Sequence, residues 1–222
     1  MTNRSNRATR LIQLFLGLVL YGISDGLLLA AGLGADPWDV FSQGLSRSFG
    51  LGIGTWTIIV GAMVLLLWIP LRQRPGLGTL ANVFVIGLVV NEFLSLVPVV
   101  HGMALRSIGM LVAVVLNAIA TATYIGARFG PGPRDGLMTG WAARGHSLRL
   151  GRTAIEATAL LAGWLLGGTV GVGTLVYALS IGPLVHWLLP LFTRDVEVRR
   201  REHAPRHPRT RGPFPIGDTE PG

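Results

Sequence analysis

The chain predicts an all-α membrane fold. Six transmembrane helices are arranged as two inverted three-helix repeats, each with a short interfacial or re-entrant helix after its first span. Three observations lead there. Half of the residues are hydrophobic and only 14% are charged, against about a quarter in soluble domains. Five separate apolar stretches reach or approach the ~20 residues that cross a ~30 Å hydrocarbon core. Laid on itself with a shift of about 95 residues, the chain also repeats its glycine and proline punctuation.

The predicted spans are residues 11–33, 53–71, 79–99, 103–127, 152–168 and 174–191. The fifth is the shortest and carries Glu156. Arg4, Arg7 and Arg10 lead directly into the apolar run from Leu11 with no small-residue cleavage site, so the first helix is expected to stay attached. All 19 basic residues are arginine. With the N-terminus inside, Arg72, Arg74, Arg128, Arg134, Arg144, Arg149 and Arg152 fall on the same side, and only Arg47 and Arg106 fall outside. The positive-inside rule then predicts both termini on the cytoplasmic side. The chain divides into a basic N-terminus (1–10), a first repeat (11–102), a second repeat (103–193) and a tail (194–222) rich in Arg, Pro and His. The tail is expected to be disordered, with Arg199, Arg200 and Arg201 close to anionic lipid.

The repeat is legible residue by residue. Gly34-Ala35-Asp36-Pro37-Trp38-Asp39 aligns with Gly130-Pro131-Gly132-Pro133-Arg134-Asp135, and Gly44 then meets Gly140. Further on, Leu77-Gly78-Thr79-Leu80 meets Val172-Gly173-Thr174-Leu175, and Gly87 meets Gly182. An odd number of spans per unit forces the second copy to enter the bilayer upside down, the architecture of many secondary transporters. After each first span comes a segment too short to cross, 37–49 and 133–145. Asp36 before Pro37 reads as an N-cap followed by proline at the first helical position.

These motifs resemble the YczE/YitT type of bacterial integral membrane protein. The resemblance covers residues 14–190. It rests on Gly34-Ala35-Asp36-Pro37-Trp38-Asp39-Val40, on Pro75-Gly76-Leu77-Gly78-Thr79, and on Gly130-Pro131-Gly132-Pro133-Arg134-Asp135-Gly136-Leu137-Met138. Arg149-Leu150-Gly151-Arg152 leading to Glu156, Gly163-Trp164-Leu165-Leu166-Gly167-Gly168 and Gly171-Val172-Gly173-Thr174 complete it. The resemblance implies a plasma-membrane protein and supplies no chemistry.

Ionisable side chains inside a bilayer are costly and invite functional readings. Asp25, Glu92 and His186 fall near the middle of three different spans, with Asn91 opposite His186 in the repeat and Asn82 and Asn117 nearby. They form a candidate midplane polar site suited to proton coupling. The bland alternative is a static pair with Arg106. Arg134, Asp135, Arg149, Arg152 and Glu156 form a second constellation on the inner side, read as a salt-bridge gate, an anion site or a plain positive-inside cluster. Arg152 and Glu156 are four apart and face each other on a helix. The outer loop motif, Asp36, Pro37, Trp38 and Asp39, is a capping pair and at most a point that attracts cations.

Other chemistries fail on composition or context. Cysteine is absent, which removes disulfides and thiolate ligands. No His, Asp and Glu spacing predicts a metal cluster, and no phosphate-binding or dinucleotide loop appears, so no metal or cofactor is expected. Gly22-Ile23-Ser24-Asp25-Gly26 matches G-x-S-x-G. That motif needs a strand-to-helix elbow, so an intramembrane protease pairing Ser24 with His186 is disfavoured and Gly22 and Gly26 read as helix-packing positions. No enzyme is expected. The basic tail lacks interleaved aromatics, so nucleic acid is not an expected partner. The expectation is a transporter-like protein moving a small molecule or ion by gating of its two halves, at a size compatible with a homodimer. The alternative is a non-transporting accessory protein for a partner membrane complex.

Overall fold

Glycine and proline break the apolar runs into helices, and the breaks decide the architecture. A computed structural model describes residues 2–97, 100–145 and 147–202. Among these residues the chain is all helix, without strands: α1 (Thr2–Ala31), α2 (Pro37–Phe49), α3 (Ile53–Leu71), α4 (Leu77–Leu96), α5 (Met103–Gly126), α6 (Pro133–Ala142), α7 (Leu148–Leu165) and α8 (Val172–Glu202). Five of them are long and apolar enough to cross a membrane: Arg7–Ala31, Ile53–Leu71, Leu77–Leu96, Met103–Gly126 and Val172–Thr193. The helix α7 has comparable length but carries Arg149, Arg152 and Glu156 in its first half, so it does not meet the same apolar test. Helix α8 continues to Glu202, beyond residue 194 where the disordered tail was expected to begin. The rest of that tail, 203–222, lies outside the described residues.

The centre of the molecule is an antiparallel pair, α1 against α5. Each helix ends on an arginine from the start of the other. The Arg10 side chain donates to Ala127 O (3.0 and 2.8 Å), and Arg106 donates to Ala31 O (2.7 Å) and Gly32 O (2.6 Å). Both satisfy carbonyls that a helix C-terminus leaves open and set a cation at its negative pole. Arg106 therefore serves the end of α1, not a buried acid. Helix α4 packs on α1 and α8 on α5. Gly22 and Gly26 admit Val89 and Phe93 of α4, the small-residue packing expected for them.

Both termini of the bundle share one face, since Gln13 Nε2 donates to Phe192 O at 3.4 Å. We call it the terminal face and its opposite the far face. Helix α3 runs back alongside α4, with Gly54 against Gly87. Helix α2 packs on α7, and α6 packs on α3. The loops after α1 and α5 are pinned in matching ways. Gly173 N donates to Leu33 O at 2.8 Å, and Gly78 N donates to Phe129 O at 2.9 Å. Gly34 and Gly130 sit in these loops at φ 109° and 123°, a region that side chains with a Cβ rarely enter. A Cβ on Gly34 would also stand 2.6 Å from Thr174 Oγ1, and one on Gly130 2.8 Å from Thr79 Oγ1.

Candidate functional site

The loop after α1 does not stay at the far face. Asp25 stands six residues before the end of α1 at Ala31, roughly 9 Å down the helix at 1.5 Å per residue. Yet one carboxylate oxygen each from Asp25, Asp36 and Asp39 falls within 4.8 Å of the others. The segment after Ala31 must therefore turn back into the bundle and start α2 beside Asp25. The N-cap geometry fits this entry. Asp36 is extended at φ −65° and ψ 158°, Pro37 occupies the first turn, and Asp36 Oδ1 accepts from Trp38 N and Asp39 N at 2.7 Å each.

The loop after α5 enters from the terminal face and starts α6 in the same place. Arg134 Nη1 pairs with Asp36 Oδ2 at 3.0 Å, and the guanidinium lies 5.1 Å from the Trp38 ring centroid. Trp68 Nε1 donates to Pro133 O at 3.0 Å, and its ring packs on Gly136. At 13 and 10 residues, α2 and α6 span about 20 and 15 Å. They are two half-length helices whose N-termini meet inside the bundle.

Around this junction lies a buried polar network. Asn117 Nδ2 donates to Asp25 Oδ1 (2.7 Å) and Ser24 Oγ (2.9 Å), and the Tyr177 hydroxyl donates to Asn117 Oδ1 (3.0 Å). Ser24 Oγ donates to Tyr21 O at 2.6 Å. Its hydrogen bonds are thus structural, and none goes to His186. Beside the junction is a cavity of about 400 Å³. It runs from Thr57 and Tyr177 past Arg134 to Arg152, Glu156 and Leu189. Helices α7 and α8 stand apart, whereas α3 packs on α4 through Gly54, Ile58 and Gly61. The cavity reaches between α7 and α8.

The structure regroups the residues singled out in the sequence. Arg134, Asp135, Arg152, Glu156 and His186 all line the cavity. Arg152 Nε pairs with Glu156 Oε1 at 3.0 Å, and the Tyr124 hydroxyl donates to Asp135 Oδ2 at 3.4 Å. Arg149 is exposed on α7 and lines no part of the cavity. Asn91 serves packing instead: it accepts from Gly54 N at 2.9 Å and donates to Thr55 Oγ1 at 2.8 Å, fastening α3 to α4. Glu92 is exposed on α4. Asp36 and Asp39, expected in an outer loop, are buried at the junction at 2% and 0% exposure. Tyr21, Tyr124 and Tyr177 also line the cavity, and nothing in the sequence singles them out, because a tyrosine in an apolar run looks like any other core residue. No metal cluster was expected either, because the three aspartates come together only when the loop folds back.

Five long apolar helices, with arginines capping the ends of the central pair, define a polytopic α-helical membrane protein. Residues 8–190 match a protein family of unknown function, DUF6198, and the chain belongs to that family. A protein of Haemophilus influenzae described only as uncharacterized is 39% identical over 182 residues, 82% of this chain and 84% of the relative. The uncharacterized membrane protein YczE of Bacillus subtilis is 33% identical over 79% of this chain and 83% of its own. YyaS of the same organism is 27% identical over 84% of this chain and 95% of its own. The YczE-type resemblance therefore stands. No solved structure matches the chain.

Proposed function

We propose that the protein is an inner-membrane transporter-like protein that moves a small polar molecule or ion through the cavity between its two inverted halves. The observation that carries this is the meeting of two half-helix N-termini at the Asp36–Arg134 pair, beside a cavity of about 400 Å³. Half-helix ends pointing at a shared site are how many transporters bind polar cargo inside the bilayer. Such ends add positive potential where a substrate passes. The matching hydrogen bonds of the two halves support the inverted repeat. Arg10 and Arg106, Gly173 and Gly78, and Thr174 and Thr79 each do the same task at positions 95 or 96 residues apart. In this reading α7 is the fifth of six spans, with Arg152 and Glu156 facing the cavity, and the arginine-rich terminal face is cytoplasmic. The two halves differ where gating needs them to: α3 is closed on α4, and α7 is open from α8.

The native absence of cysteine makes the test direct. Ala178→Cys and Val185→Cys place single thiols on the cavity wall, with Ser48→Cys and Arg149→Cys as exposed markers of the two faces. Labelling of both cavity positions by a charged thiol reagent, reached from either face over time, is the expected result. Protection of both, with the markers labelled from opposite faces, would mean a sealed interior and favour the accessory role.

A further inference from the structure

The junction of α1, α2 and α6 carries more negative charge than its neighbours balance. Asp36 is complete: Oδ1 accepts two backbone amides and Oδ2 takes Arg134. Asp39 is different. Its side chain is fully buried, and neither of its carboxylate oxygens accepts a hydrogen bond. Asp25, at 1% exposure, accepts one from Asn117 on Oδ1 and none on Oδ2. Three carboxylate oxygens are thus free, at a junction where one oxygen of each acid lies within 4.8 Å of the others. Buried carboxylates are ordinarily hydrogen-bonded, paired or bound to metal, and these three oxygens have no donor.

Charge and size narrow what belongs there. Three carboxylates and one guanidinium leave two negative charges. The N-termini of α2 and α6 contribute roughly +0.5 each, so about one negative charge remains for an occupant to neutralise. Oxygens bound to a calcium-sized ion at about 2.3–2.6 Å lie at most about 5 Å apart. Sodium has nearly the same radius, and the spread of the three acids fits it. We propose that Asp25 and Asp39 hold a sodium ion at this junction, bound by Asp25 Oδ2 and the two Asp39 oxygens. Asp36 and Arg134 line the cavity while Asp25 and Asp39 do not, so the ion pair separates the ion from the cavity. The site rests on the placement of the acids and stands whether or not the cavity carries a substrate.

The experiment uses the full chain purified in detergent. Binding of radioactive ²²Na⁺ is competed with unlabelled sodium, potassium, choline, magnesium and calcium. Melting temperature is followed against sodium at constant ionic strength, with choline as the balancing cation, from pH 6 to pH 9. The expected result is saturable ²²Na⁺ binding that choline does not displace, and a melting temperature that climbs with the logarithm of sodium concentration. Asp39→Asn should lose at least tenfold in sodium affinity, and in choline it should melt no lower than the wild type, because one uncompensated charge is gone. Equal melting in sodium and choline at every pH, without saturable binding, would overturn the site. So would a melting temperature that responds only to acid, which would make the occupant a proton, or a site that takes magnesium or calcium and ignores sodium. The wild-type binding measurement decides the matter even if the variant fails to fold. Sodium binding with a sealed cavity would sink the transport reading alone, and an open cavity without sodium binding would sink this one alone.

Discussion

Replacing Arg134 by glutamine should destabilise the protein by about 3 kcal/mol, through the charge left behind on Asp36. Removing one partner of a buried ion pair costs about 3–5 kcal/mol. Asp36 is 2% exposed and Arg134 27%, so cavity water softens the loss and we take about 2–3 kcal/mol. The stacking of Arg134 on Trp38 at 5.1 Å adds roughly 0.5–1 kcal/mol. For a chain of this length each kcal/mol moves the melting temperature by about 2–4 °C, giving a drop of about 6–12 °C. Asp36→Asn removes the charge but keeps the cap, since asparagine caps as well as aspartate, and should cost less than Arg134→Gln. The assay is retention of the monodisperse peak after heating, across the two single variants and the double. The double variant should be more stable than the sum of the singles by at least ~1 kcal/mol, the signature of coupled neighbours. Strict additivity, or an Arg134→Gln protein that melts with the wild type, would refute the pair as the link between the two half-helices.

Two further predictions concern packing and helix ends. Gly163→Ala sets a Cβ 2.5 Å from Phe41 N where α7 crosses α2. It should cost about 2–3 kcal/mol or abolish accumulation, while Gly182→Ala, with nothing within 4 Å, should express and melt like the wild type. Arg106→Met removes the two bonds at 2.7 and 2.6 Å that end α1. It should lower stability by about 1–2 kcal/mol, with Arg106→Lys recovering part of the loss in the same heating assay.

Span positions were largely legible because hydropathy and glycine or proline breaks act locally. The third helix runs 53–71 as expected, and the fifth begins at Met103. Helix α8 overran its expected end because composition alone does not stop a helix once the apolar stretch is over, and the polar continuation is strongly helix-forming in its Arg and Glu. Depth was the quantity the sequence hid. Counting residues along a span places Asp25 well. It places Asp36 and Asp39 at the surface, because a linear count assumes that a loop stays where the preceding helix left it. The meeting of Asp25, Asp36 and Asp39 oxygens within 4.8 Å reveals that the loop turns inward. Asn91 misled for the opposite reason. Its depth resembles that of a site residue, but its amide is spent on Gly54 and Thr55.

The placement of the acids argues against a purely structural centre. A bundle built only for stability would gain by replacing a buried ion pair with apolar side chains of similar volume. It would gain more by replacing Asp39, whose oxygens accept no hydrogen bond. An N-cap at Asp36 explains one aspartate, and the single bond from Asn117 half explains a second. Nothing in the packing explains the third. Glycine at 34 and 130 then costs backbone freedom to bring both loops inward, where a surface loop would have needed neither residue. Three local costs converge on one point between two half-helices. On the sodium-site proposal this point is an electrostatic well, and an ion in it would couple α1 to α2. An ion held by Asp25 and Asp39 would relieve the mutual repulsion of the three acids and so fasten the start of α2 to α1.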